Sequence, residues 1–234
     1  MNPRRRGFNH WPTQRHGVFP AMHVHLDTER LTLRAFTPDD VDDLVALDSD
    51  PAVMRYLNGG IPTPRGVIER EVLPRFIALS QQGDGYGVWA AIERATGAFV
   101  GWFGFGPHDG GAAGEISLGY RLRRAVWGRG YATEGARALI QRGFTDLGAR
   151  RIVATTYQDN LASRRVMEKA GLRLARTFRM TPELLAAEGD TFVTGGELWD
   201  GDDVEYALER AEWERQIARG EENGEERDGD AGLR

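Results

Sequence analysis

Apolar positions alternate at Leu31, Leu33 and Ala35 and at Ile116, Leu118, Tyr120 and Leu122, and two strand-like apolar runs, Tyr86 to Ile92 and Phe99 to Phe105, lie between them. A two-residue period puts successive side chains on opposite faces of a strand, so these runs predict four strands. Ala95-Thr96-Gly97 makes the middle two an antiparallel hairpin. The period then lengthens: Ala132, Ala136, Leu139, Ile140, Phe144 and Leu147 recur at helical spacing, and Gly148 stops that helix. Arg151 to Tyr157 reads as the next strand. Asp203 to Leu208 reads as the last, with a helix containing Trp213 behind it. Thr37-Pro38-Asp39-Asp40 has the cap, first-turn proline and acidic first turn that open a helix. Thr63-Pro64 repeats the signal for a second helix, in which Pro74 imposes a kink or a stop. Antiparallel strands followed by β-α-β units predict an α/β (α+β) fold, a mixed sheet with helices on both faces.

Composition narrows the chemistry. Hydrophobic residues make up 41% and charged ones 28% of 234 residues, the range of globular domains. No apolar run reaches the 18 or so residues of a membrane helix, and a net charge of −5 gives no general attraction to nucleic acid. There is no cysteine, which removes disulfides, thiolate metal sites and cysteine nucleophiles. Lys169 is the only lysine among 30 basic residues. Residues 1–24 read as a basic N-terminal extension, free of acids and rich in Arg and His, with Met22 as an alternative start. Residues 25–219 form one domain, and Gly220 to Arg234 reads as a solvated acidic tail.

The turn between Leu122 and the long helix carries the clearest chemical signal. Trp127-Gly128-Arg129-Gly130-Tyr131-Ala132 joins strand to helix, so its amide N–H groups gather at the positive end of a helix dipole. Gly128 and Gly130 let an anion approach the backbone closely. A Walker loop needs a Gly-Lys pair, which the chain lacks. A dinucleotide fingerprint needs a third glycine, where this chain has Thr133.

Leu118-Gly-Tyr-Arg-Leu122, Trp127-Gly-Arg-Gly-Tyr-Ala-Thr-Glu134, Asn160-Leu-Ala-Ser163 and Val166-Met-Glu-Lys-Ala-Gly171 resemble the GNAT superfamily of acetyl-CoA-dependent N-acetyltransferases. Within it they resemble the Rim-type branch, whose founding members acetylate ribosomal-protein N-termini. The likeness runs from about Leu26, through the opening Thr28-Glu-Arg-Leu-Thr-Leu-Arg34, to Tyr206. It implies a mostly antiparallel sheet of about seven strands that splays between the fourth and fifth, Glu115 to Leu122 and Arg151 to Tyr157. It also implies a CoA pyrophosphate held by the turn amides of Gly128, Arg129, Gly130, Tyr131, Ala132 and Thr133, with the Thr133 hydroxyl and Arg129 side chain assisting. The pantetheine arm would complete the ladder against backbone groups of Tyr120, Arg121 and Leu122. Asn160 would cap the next helix and meet the same arm. Ser163 would lie near the thioester sulfur as proton donor, because Met167 stands where many relatives carry a tyrosine acid and cannot donate a proton.

The implied reaction is direct acetyl transfer to a primary amine in a ternary complex, with no metal. An alkyl ammonium must first lose a proton. Glu115, Glu183 or a water chain would take it, with His108 and Asp109 behind them; the branch usually has a glutamate where this chain has Ser117. A backbone N–H near Leu122 would receive the carbonyl oxygen. The stretch Thr177 to Asp203 is rich in acids, which suits a cationic acceptor. Three readings stay open: a protein N-terminus, a small amine or aminosugar antibiotic, or a CoA-binding sensor without catalysis. The setting expected is a bacterial cytoplasm, with no nucleic-acid or membrane partner and a homodimer as the default assembly.

Overall fold

The computed structural model describes residues 26–81, 85–108, 111–181 and 201–219. The expected terminal extension and tail, Glu183 and Asp109 lie outside the described residues. One eight-stranded sheet has the order β1 (Leu26–Asp27), β2 (Leu31–Ala35), β3 (Gly87–Glu93), β4 (Phe99–Pro107), β5 (Glu115–Leu122), β6 (Arg151–Tyr157), β8 (Asp203–Glu209), β7 (Arg173–Phe178). The strand beyond the expected seven is the two-residue β1, too short to show a period. All neighbours are antiparallel except β5 and β6.

Alternation, interrupted at Val100 where β4 carries one extra residue against β3, gives the sheet two apolar faces. Leu31, Leu33, Trp89, Ala91, Phe103 and Phe105 point to one face, which α5 (Tyr131–Thr145) and α6 (Leu161–Lys169) cover. Phe36, Val88, Ala90, Phe99 and Trp102 point to the other, beneath α1 (Val41–Asp48) and α4 (Leu73–Ser80). Residues 210–219 are helical and stack Trp213 on Phe144, with ring centroids 5.0 Å apart.

Two details depart from the sequence pattern. An additional helix, α2 (Pro51–Asn58), begins where the Asp50 carboxylate accepts the Ala52 N–H at 2.8 Å. Pro74 does not end its helix. The short α3 (Arg65–Val67) widens into a π-helical segment, Ile68–Val72, closed by a Leu73 N–H to Ile68 carbonyl bond. That wider turn comes just before the proline and accommodates its ring and missing donor, so α4 continues.

Packing of α5 on the sheet depends on glycine. A Cβ at Gly135 would lie 2.3 Å from the Phe103 ring, and one at Gly143 would lie 2.7 Å from the Phe105 ring. Two phenyl rings of β4 thus fill slots in the helix, drawing its N-terminus down over the end of β5.

Candidate functional site

Strands β5 and β6 pair only at Glu115 with Arg151, Ile116 with Ile152 and Ser117 with Val153. Beyond Ser117 they diverge, which is the expected splay. The Arg123 N–H donates to the Val100 carbonyl at 2.9 Å, which fixes the phase of the β4–β5 ladder. In an antiparallel pair, inward and outward backbone groups alternate. Trp102 and Arg121 therefore exchange bonds across β4–β5, while Tyr120 and Leu122 turn their N–H and C=O groups into the splay. This corrects the expectation for Arg121. Its backbone faces β4, and its buried guanidinium binds Asp48 at 2.7 Å and lies over the Trp102 ring. Arg121 joins the sheet to α1 and lies away from the splay.

At the mouth of the splay, Gly128 (φ 75°) and Gly130 (φ 85°) adopt left-handed conformations that side chains disfavour. The Glu134 N–H is the first in α5 to find a carbonyl, that of Gly130 at 3.0 Å, and the Arg129 N–H folds back to Val126 at 3.4 Å. The N–H groups of Gly128, Gly130, Tyr131, Ala132 and Thr133 have no partner among the described residues, nor has the Thr133 hydroxyl. They leave a concavity of bare amide donors at a helix N-terminus, the geometry in which an anion can be held. Trp127, half exposed, donates its indole N–H to the Leu122 carbonyl at 2.8 Å and fastens the turn to the end of β5. The Leu122 N–H is left facing the splay.

Several residues hold this turn that spacing alone did not single out. The Glu134 carboxylate accepts the Thr28 hydroxyl (2.6 Å), the Arg30 N–H (2.7 Å) and the Arg30 guanidinium (2.6 Å). Arg30 also donates to the Arg129 carbonyl at 2.9 Å. The opening motif and the turn motif are thus one assembly, 104 residues apart in sequence. Arg129 is drawn away from the amides: it pairs with Glu93 at 3.0 Å and with the Tyr131 hydroxyl at 3.1 Å. Glu93 also accepts the Tyr131 hydroxyl. Bonds from Thr96 and Tyr131 hold its carboxyl below the usual range.

Deeper in, the Asn160 side-chain oxygen caps α6 by accepting the Ser163 N–H at 3.3 Å, and its amide donates to Thr156 at 3.1 Å. The Tyr120 hydroxyl lies 3.0 Å from Ser163 Oγ and 3.1 Å from the Ser163 carbonyl oxygen. Burial pushes the Tyr120 phenol well above its ordinary value, with the Ser163 bond opposing more weakly, so it stays protonated. Met167 is buried in the core. The signal for Tyr120 was present in the alternation, since a phenol on the face of Leu118 and Leu122 needs a hydrogen-bond partner.

Glu115 sits at the closed end of the splay. It binds Arg151 at 2.7 Å and lies 3.7 Å from His108 Nε2. Arg151 also binds Glu205 (2.8 Å) and Glu209 (3.0 Å), and Arg176 binds Glu205 at 2.7 Å. Three carboxylates thus meet two guanidiniums on the sheet face that carries Ser117 and Arg121, opposite the face of Tyr120 and Ser163.

Residues 30–173 match the family model described as an acetyltransferase (GNAT) domain. The chain is 33% identical over 158 residues to the uncharacterized protein YkkB of Bacillus subtilis, covering 66% of this chain and 88% of that one. It is 32% identical over 200 residues to the FsC-acetyl coenzyme A-N(2)-transacetylase of Aspergillus fumigatus, covering 81% and 78%. Among solved structures, a GNAT-family acetyltransferase from Bacillus anthracis shares the fold with a TM-score of 0.63 at 24% identity, over 80% of this chain and 99% of that one. RimL, a ribosomal L7/L12 alpha-N-protein acetyltransferase bound to coenzyme A, superposes with a TM-score of 0.60 at 19% identity, over 78% and 95%. The aminoglycoside acetyltransferase AAC(6')-Ib with coenzyme A gives 0.59 at 21%, over 79% and 98%.

Proposed function

The chain belongs to the GNAT acetyltransferase family, an acetyl-CoA-dependent class of N-acetyltransferases, and from that premise we propose that it acetylates a small cationic primary amine by direct attack in a ternary complex. The observation that carries this reading is the pairing of a splay with a bare amide turn at its mouth. The turn amides of Gly128 and Gly130 to Thr133 receive the pyrophosphate, and Tyr120 and Leu122 offer backbone groups to the amides of the pantetheine arm. Arg129 exchanges Glu93 for phosphate when the carrier arrives.

A cationic acceptor is favoured by the face on which Glu115, Glu205 and Glu209 outnumber Arg151 and Arg176. The FsC-acetyl coenzyme A-N(2)-transacetylase is similar over most of this chain, whereas the likeness to RimL, at 19% identity, is one of fold and carries no peptide acceptor over to it. Glu115 is committed to Arg151, so the ammonium gives its proton to water on this face and the carboxylates steady the cation beforehand. The free amine attacks the carbonyl carbon and the Leu122 N–H receives the developing oxyanion. The C–S electron pair leaves on sulfur, next to Ser163.

Thiol release from acetyl-CoA across a panel of small diamines, aminosugars and peptides with free N-termini tests the reading. Turnover is expected with small cationic amines. Turnover confined to peptides would replace the acceptor assignment, and CoA binding without release on any acceptor would favour a sensor.

A further inference from the structure

The pairing of Tyr120 with Ser163 carries an inference that rests on the acetyl-transfer reading and deepens it. A thiol has an ordinary pKa of about 8.5 and a phenol about 10, so moving a proton from even an unperturbed phenol to a departing thiolate is uphill. Burial of Tyr120 makes that transfer harder still. A thiolate needs no full protonation in order to leave near neutral pH. What it gains from a hydroxyl is a hydrogen bond to the charge that grows on sulfur. The difficulty is direction, because a serine hydroxyl rotates freely unless something fixes it. In α6 the Ser163 N–H is fixed by Asn160, whereas Oγ finds Tyr120.

The single phenolic proton has two acceptors at nearly equal range, the Ser163 carbonyl oxygen at 3.1 Å and Ser163 Oγ at 3.0 Å. Given to the carbonyl, it leaves Ser163 to donate to the phenol oxygen, and the pair closes on itself. Given to Oγ, it occupies a lone pair there and turns the serine proton outward. Negative charge on an adjacent sulfur favours the second arrangement. We propose that Tyr120 is a positioning residue for acetyl transfer, its phenolic O–H holding the Ser163 hydroxyl so that it donates to the departing sulfur. In this step the C–N bond forms, the C–S bond breaks with its electron pair staying on sulfur, and the attacking nitrogen gives its surplus proton to water on the carboxylate-bearing face. Both hydroxyls keep their protons, and the thiolate is protonated later by solvent. Ser163 is therefore a hydrogen-bond donor to the leaving group and transfers no proton.

Ser163→Ala removes Oγ but keeps the carbonyl, so it separates this role from simple anchoring of α6. Steady-state kinetics with an acceptor from the panel, on wild type, Tyr120→Phe, Ser163→Ala and the double variant, make the comparison. Each single change is expected to lower kcat about tenfold or more with little change in KM for acetyl-CoA, because the backbone of β5 is untouched. The double variant is expected to match Ser163→Ala. Ser163→Thr, which keeps a hydroxyl, should retain most of kcat and lose it again when Tyr120→Phe is added. Shapes of the kcat–pH profiles should not change. Wild-type kcat in Tyr120→Phe, or an equal further loss on top of Ser163→Ala, would overturn the inference; the second result would assign the phenol to the carbonyl alone. Thermal unfolding checks the fold, and Tyr120→Leu repeats the comparison should Tyr120→Phe be unstable. A wild-type protein that neither binds CoA by calorimetry nor releases thiol would sink the acetyl-transfer reading itself, whereas normal wild-type turnover with an unaffected Tyr120→Phe would sink this inference alone.

Discussion

Gly130 does two things that no other residue type does together. Its φ of 85° lies where a Cβ is strained, and its missing side chain leaves the amides after it open to an anion. A Cβ there would also stand 3.3 Å from the Arg30 guanidinium that braces the turn. Gly130→Glu adds strain, fills the concavity and puts a negative charge where the proposed diphosphate would bind. Loss of CoA binding by calorimetry is expected, while Gly130→Ala, which adds strain without charge, should bind more weakly than wild type yet measurably. Unchanged affinity in Gly130→Glu would mean that the carrier is held elsewhere. Individual residues differ in how far the sequence exposed them. The bare amides of Gly128 and of Gly130 to Thr133 were readable from the spacing of two glycines between strand and helix, whereas the fold-back of the Arg129 N–H to Val126 was not. Nor were Glu93 and Arg30, because each acts through a partner at least 36 residues away that no local pattern announces; for Tyr120 the alternation marked an inward phenol in need of a partner but not that the partner is Ser163.

Among the elements, α5 shows where local preference yields to packing. Glycine inside a helix is disfavoured by roughly 1 kcal/mol relative to alanine, so Gly135 and Gly143 look like weaknesses. Each instead receives a phenyl ring of β4, and Phe103 and Phe105 are fully buried. Gly135→Ala is therefore expected to destabilise the fold by about 1–3 kcal/mol, the usual cost of overpacking, against the propensity gain. Chemical denaturation measures it, and a stabilised variant would show that the helix shifts freely on the sheet. The same tension explains what the sequence disclosed at this scale. Strands β5 and β6 run from Glu115 to Leu122 and from Arg151 to Tyr157, the first as its alternation predicts and the second as the run after Gly148 does. The buried stripe of α5 holds Ala136, Leu139, Ile140 and Phe144 where the spacing put them, and adds Tyr131, Gly135 and Gly143, the glycines unannounced because they carry no hydrophobic signal. Likewise, Pro74 announced an interruption, but only packing selected a π-helical widening over a stop.

For the molecule as a whole, two carboxylates tie separate parts of the fold together and make its stability depend on pH. Asp40 joins the end of β2 to the start of α1, taking bonds from the Arg34 guanidinium at 2.6 and 2.8 Å and from the Thr37 N–H at 2.7 Å. Glu134 joins the Thr28–Arg30 turn to α5. Burial alone would raise both pKa values, but these donors outweigh it and hold both below their ordinary values of 3.8 and 4.5. A carboxyl whose folded pKa is depressed contributes stability that is fully present above its unfolded pKa and is lost as pH falls through the folded value. Unfolding free energy, set by these two groups, should therefore be level from neutrality down to about pH 5 and then decline as acid is added. Glu134→Gln keeps the shape and removes the titration. It should lower stability at pH 7 and make the decline shallower, and it should also weaken CoA binding, since Arg30 then loses its anchor and releases the Arg129 carbonyl. Urea titrations from pH 7 to pH 3 read the first two effects and calorimetry the third. A parallel pair of stability–pH curves would show that Glu134 does not link folding to protonation, and the joint between the opening motif and the anion-binding turn would then carry no share of the acid sensitivity.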